Sequence, residues 1–154
     1  AEVSSRVRDA VLVIGGTGAE ETKLKILAEK LGLRDKVIFV GFIPDQKLWD
    51  YYASCDVFVV ADYADFDITP YEALSFGKKV VCSSEMAGGL LRDERVIIVN
   101  PTVKELARGI EKALTLEIDE SKKINLADYT WDSYFEKIFT IYKRIVSSKK
   151  CSES

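Results

Sequence analysis

Apolar residues along this 154-residue chain fall into short β-branched runs separated by amphipathic stretches. Residues 10–14 (AVLVI), 36–40 (KVIFV), 56–60 (DVFVV), 79–82 (KVVC) and 95–99 (RVIIV) read as five buried strands. Between the first two, Leu24, Leu27, Ala28 and Leu31 recur at helical spacing, and Gly32 closes the segment. Asp45 opens a helix with Leu48, Trp49 and Tyr52 on one face. Val103, Leu106, Ala107, Ile110 and Leu114 mark a helix after Asn100 and Pro101, with a capping box from Thr102 to Glu105. A last helix over residues 130–147 carries Trp131, Tyr134, Phe135, Ile138, Ile141, Tyr142 and Ile145 on one stripe. Residues 1–9 suggest the tail of a helix, residues 116–129 a polar passage with a brief helix, and residues 148–154 a disordered tail. Strands alternating with helices predict one parallel sheet of about five strands, covered on both faces, in a Rossmann-like doubly wound α/β fold. Ligands of such sheets bind beyond the carboxyl ends of the strands.

The stretch from residue 61 to residue 84 carries the most chemistry. Thr69-Pro70-Tyr71-Glu72 has the form of a second capping box, with proline pre-setting the first turn and Gly77 ending the helix. A loop entering a helix this way leaves amides that suit a phosphate or diphosphate. Asp65-Phe66-Asp67 has the spacing of paired carboxylates that hold a divalent cation. Aspartates in a polar loop are common, however, and no metal is expected. Gly15-Gly16-Thr17-Gly18 follows the first strand, but a dinucleotide fingerprint fails because its third glycine falls at Glu21. Gly16 is then either a ligand contact or part of a plain turn. Phe42 and Ile43, at the end of the second strand, are either core or contacts to a flat ligand.

Composition narrows the chemistry. Hydrophobic residues make up 47% and charged residues 31%, with a net charge of −3, so no basic face for nucleic acid is expected. Histidine is absent, which removes Ser-His-Asp triads, Cys-His pairs and histidine metal sites. Three cysteines, Cys55, Cys82 and Cys151, are odd in number and far apart, which fits a reducing, cytoplasmic setting. One Gln and two Asn beside abundant Lys and Glu is a thermophile-like bias. No apolar run approaches the ~20 residues that cross a bilayer.

The segment ADFDITPYEALSFGKKVV resembles the signature of the retaining GT-B glycosyltransferases called glycosyl transferases group 1 (family 4), with mannosyltransferases nearest in pattern. The resemblance extends through GGTG, LAEKLGL, DKVIFVGFI, LWDYYASCDVFVV and TWDSYFEKIFTIY, over nearly the whole chain. It implies that residues 1–147 are a C-terminal, nucleotide-sugar-binding domain from which the first strand and helix, and the N-terminal acceptor domain, are absent. Glu72 would hold the ribose hydroxyls. The Thr69-Pro70 helix start would face the diphosphate, and Phe66, Asp67, Ile68, Gly16, Phe42 and Ser84 would belong to the same nucleotide-sugar site. The family's other glutamate, eight positions before Glu72, is replaced by Ala64, and the glycine after phenylalanine by Asp67. Asp67 brings negative charge toward a diphosphate, so donor binding should weaken.

What the resemblance implies is a hexosyltransferase using a GDP- or UDP-linked sugar, without metal or other cofactor, on a glycan or lipid acceptor. It implies a polysaccharide-building role in the cytoplasm, with peripheral membrane association through the absent domain. This chain alone is expected to be inactive. A non-catalytic binding or regulatory module of the same fold is the alternative, favoured by Ala64 and Asp67.

Overall fold

The computed structural model describes residues 1–61, 67–85, 93–119 and 124–150. The chain divides into two compact units, residues 1–121 and 122–154, where the sequence pattern suggested one domain with a tail.

The first unit begins with α1 (Glu2–Arg6). It continues through β1 (Leu12–Gly15), α2 (Glu21–Lys30), β2 (Val37–Gly41), α3 (Asp45–Ser54) and β3 (Val57–Val60). Then come α4 (Thr69–Ser75), β4 (Lys79–Ser83), β5 (Val96–Val99) and α5 (Val103–Thr115). All five expected strands form, and every pairing is parallel. They do not make one sheet: among the described residues β1 pairs with β2, and β3, β4 and β5 pair in that order. The single five-stranded sheet is corrected to two smaller ones, because β1 and β3 each hydrogen-bond along one edge alone.

The core sits in the three-stranded sheet. Val80, Val81 and Cys82 of β4 are fully buried, so both faces of the central strand are covered. On one face Val81 packs with Ile97, Ala113, Val57, Val59, Val99, Leu106 and Ile110, which is where α5 lies. Gly109 permits the close approach: a Cβ there would stand 2.9 Å from Val99 Cγ1 and 3.0 Å from Val81 Cγ1. Thr102 caps α5 by accepting from the Glu105 amide at 3.2 Å, so that expected cap forms.

The β1–α2–β2 half is less covered. Of the helical stripe on α2 only Ala28 is buried, while Leu24, Leu27 and Leu31 are 43–50% exposed. Spacing alone cannot tell whether an apolar face finds cover, since that depends on what packs against it.

In the second unit, a 3-10 turn (Ala127–Tyr129) leads into α6 (Trp131–Lys150). Trp131, Tyr134 and Phe135 cluster at its start, edge to face or tilted, with centroids 5.8–6.1 Å apart. The helix runs to Lys150, past the expected end at residue 147, because Ser147, Ser148 and Lys149 include neither glycine nor proline to stop it. Residues 151–154 lie outside the described residues.

Candidate functional site

The site residues fall into groups set by the strand ends. At the carboxyl ends of β1 and β2, Gly15 aligns with Gly41, and the Gly16 amide donates to the Gly41 carbonyl at 2.7 Å. Gly16 has φ +99°, a conformation that glycine adopts without strain. Phe42 follows Gly41 and is 76% exposed, so it is not a core residue. Ile43 instead turns back onto Gly15, where an added Cβ would meet its Cδ1 at 2.5 Å.

At the end of β4, Ser83 is buried, whereas Ser84 is exposed and its amide donates to the Val99 carbonyl at 2.7 Å.

The third group surrounds the start of α4. The Thr69 hydroxyl does not cap the helix. It donates to Asp67 Oδ2 at 2.8 Å, while the Thr69 amide donates to Asp67 Oδ1 at 2.9 Å. Asp67 thus binds Thr69 through a side-chain turn that aspartate favours, and α4 has no side-chain cap. Two further amides of this turn are also used. Pro70 has none, and those of Tyr71 and Glu72 both donate to the Ile68 carbonyl, at 2.9 and 3.1 Å. A carboxylate thus stands at the helix start where the sequence suggested an anion cradle. Ile68 is 51% exposed and Pro70 is buried. Ala64, Asp65 and Phe66 lie outside the described residues, and so does any reading of the Asp-x-Asp pair.

Glu72 does not complete a capping box either. Its Oε2 accepts from the Tyr52 hydroxyl at 2.8 Å, and its Oε1 accepts from no described residue. Tyr52 comes from α3, is 4% exposed, and sits among aromatic rings. Phe58 lies 5.3 Å away between centroids, Phe76 6.1 Å and Trp49 6.2 Å. Burial, then the bond to Glu72 and its charge, then Asp67, push the Tyr52 hydroxyl well above the usual tyrosine range. It is therefore a committed donor at neutral pH.

Two site features escape a reading of the sequence. The helical pattern places Tyr52 on a face of α3, but no local pattern ties it to a residue 20 positions away. The Asp67 turn onto Thr69 is legible in principle, as an aspartate two places before a Thr-Pro helix start. No hydrogen bond or ion pair of the described residues joins the Gly16–Phe42 group to the Glu72 group.

Cys82 is fully buried and Cys55 partly so, and burial raises both thiols above their usual range. Neither has the character of a reactive thiolate. Among the described residues no helix is long and apolar enough to cross a membrane.

The parallel strands and the helices between them make an α/β unit with the fold of the Rossmann-like domains of GT-B enzymes. The chain belongs to the family described as Glycosyl transferases group 1, which matches residues 1–130. It is 33% identical over 147 residues to an uncharacterized glycosyltransferase of Methanocaldococcus jannaschii, covering 88% of this chain and 37% of that one. It is 29% identical over 164 residues to the alpha-1,3/1,6-mannosyltransferase ALG2 of Dictyostelium discoideum, covering 92% and 38%. Among solved structures it resembles sucrose-phosphate synthase from Thermosynechococcus elongatus, with a TM-score of 0.68 at 25% identity, covering 90% and 38%. The chain thus spans less than two fifths of the length of these curated relatives. Its fold class and its family are those the signature segment implied.

Proposed function

We propose that this chain is the sugar-nucleotide-binding part of a retaining hexosyltransferase, with Glu72 accepting from the ribose hydroxyls of a GDP- or UDP-linked donor. The observation that carries this reading is the carboxylate of Glu72. It is fixed at the start of α4, beyond the carboxyl end of β3, and keeps Oε1 for a further donor. A carboxylate accepts two hydroxyl protons without being a metal ligand. The donor would bind without a metal or other cofactor, beside Phe42, Gly16 and Ser84.

The separate sheets support a further part of the reading. β1 and β3 each have an edge unpaired by any described residue. A central strand and its helix, supplied by polypeptide beyond these residues, would join the sheets and cover the exposed leucines of α2. The acceptor, a glycan or lipid, would be held by the same additional polypeptide, at the cytoplasmic face of a membrane. This chain alone would then turn over no substrate.

The Asp67–Thr69 contact favours a second reading, a non-catalytic binding or regulatory module. A carboxylate that occupies the helix start opposes a diphosphate there.

Titration of the chain with UDP, GDP, UDP-glucose and GDP-mannose, with and without magnesium, tests both. At 100 times its dissociation constant a ligand adds about 2.7 kcal/mol of stability, visible as a higher melting temperature. Metal-independent binding that Glu72→Ala weakens is the expected result. Binding only with magnesium would sink the metal-free reading. Binding unaffected by Glu72→Ala would remove the ribose contact.

A further inference from the structure

We propose that Tyr52 is the positioning residue for Glu72, holding its carboxylate so that Oε1 is presented to a vicinal diol, the ribose of the donor. This rests on the ribose reading of Glu72 given above. A glutamate in the first turn of a helix has three rotatable side-chain bonds and loses entropy when it must hold one pose. Tyr52 removes that freedom in advance. Its own ring is 4% exposed and fixed by Phe58, Phe76 and Trp49, so its hydroxyl oxygen is a fixed point. The bond to Oε2 at 2.8 Å ties one carboxylate oxygen to that point.

The neighbouring acid is more fully engaged: each oxygen of Asp67 already accepts from Thr69, one from its amide and one from its hydroxyl. Glu72 has an oxygen, Oε1, that accepts from no described residue. The arrangement also leaves lone pairs on Oε2, since a carboxylate oxygen accepts more than one hydrogen bond, so Tyr52 does not block a two-point contact with a diol. Preorganisation of this kind adds affinity by lowering the ordering cost of binding rather than by adding a contact.

The test compares each of UDP and GDP with its 2′,3′-dideoxy counterpart, by calorimetry, on the chain and on Tyr52→Phe and Glu72→Ala. Tyr52→Phe keeps the buried ring and removes one hydroxyl, and a retained melting transition confirms that it folds. The chain should prefer the ribonucleotide about tenfold, roughly the value of one hydrogen bond to a charged group. Glu72→Ala should abolish that preference. Tyr52→Phe should reduce it to about threefold or less while leaving dideoxynucleotide affinity within about twofold, which a purely structural role would not do.

Full preference retained in Tyr52→Phe overturns the positioning role and leaves the ribose contact standing. Equal weakening toward both ligands also overturns it, marking Tyr52 as structural. Preference that survives Glu72→Ala, or no binding of either ribonucleotide by the unmodified chain, overturns the ribose reading and this proposal with it.

Discussion

The carboxylate of Asp67 grips Thr69 at two points, accepting from its amide at 2.9 Å and from its hydroxyl at 2.8 Å. The helix start that looked ready for an anion is thereby supplied with one of its own. Asp67→Ala removes both bonds and should destabilise the chain by about 1 kcal/mol, read as a lower denaturant midpoint at unchanged slope. Asp67→Gly should cost a similar amount yet bind a nucleoside diphosphate more tightly, because the Thr69 amide is released and a negative charge is gone. Weaker diphosphate binding by Asp67→Gly would show that Asp67 serves the ligand rather than competing with it.

Tyr52 gives the fold an alkaline limit. An unfolded tyrosine loses its proton near pH 10, whereas burial and the Glu72 carboxylate hold the Tyr52 proton to higher pH in the folded chain. Above pH about 10 the unfolded state therefore binds fewer protons than the folded one, and stability falls as pH rises. Below that value this contribution is fully present. Cys55 and Cys82, also raised by burial, act in the same direction from pH about 8.5. Melting curves from pH 7 upward should show Tyr52→Phe losing less stability above pH about 10 than the unmodified chain. Parallel pH profiles would refute the assignment.

Gly109 sets how near α5 comes to the sheet. A Cβ at 2.9–3.0 Å from two valine methyls must push something aside, and Val81 is fully buried. Gly109→Val should cost about 1–3 kcal/mol through overpacking, despite the better helix propensity of valine over glycine. A stability equal to or above that of the unmodified chain would mean that the core can give way.

The ion pair of Arg6 with Glu111 is short, at 2.6 Å, but the two side chains are 53% and 25% exposed. Solvent screening limits such a pair to less than about 1 kcal/mol. Arg6→Ala should accordingly leave the melting temperature within about 4 °C. A larger drop would show that α1 is fastened mainly by this contact.

The strands were legible because they are continuous β-branched runs, and a run such as VFVV at 57–60 has few other uses. The caps show where legibility stops. Thr102 caps α5 as its spacing predicts, yet Thr69, with the same spacing to a glutamate, does not cap α4. The difference is tertiary. Glu72 is drawn off by Tyr52 from another helix, and the Thr69 hydroxyl is drawn off by Asp67. The pairing of strands was hidden for the same reason: the apolar pattern of β1 and β3 shows that they want neighbours, not which ones.

Although α1 comes first in the chain, it packs against α5, near the end of the first unit. Just past its end, the Lys36 ammonium donates to the Arg8 carbonyl at 2.7 Å, next to β2. The opening residues thus act as a clasp across the unit, reaching from the two-stranded sheet to the helix that backs the three-stranded one. A protease that trimmed the first eight residues would remove a fastening between the halves while leaving the core side chains in place. What would change is the cooperativity of unfolding: one transition for the clasped chain, and a looser, earlier opening of the β1–α2–β2 half once it is cut.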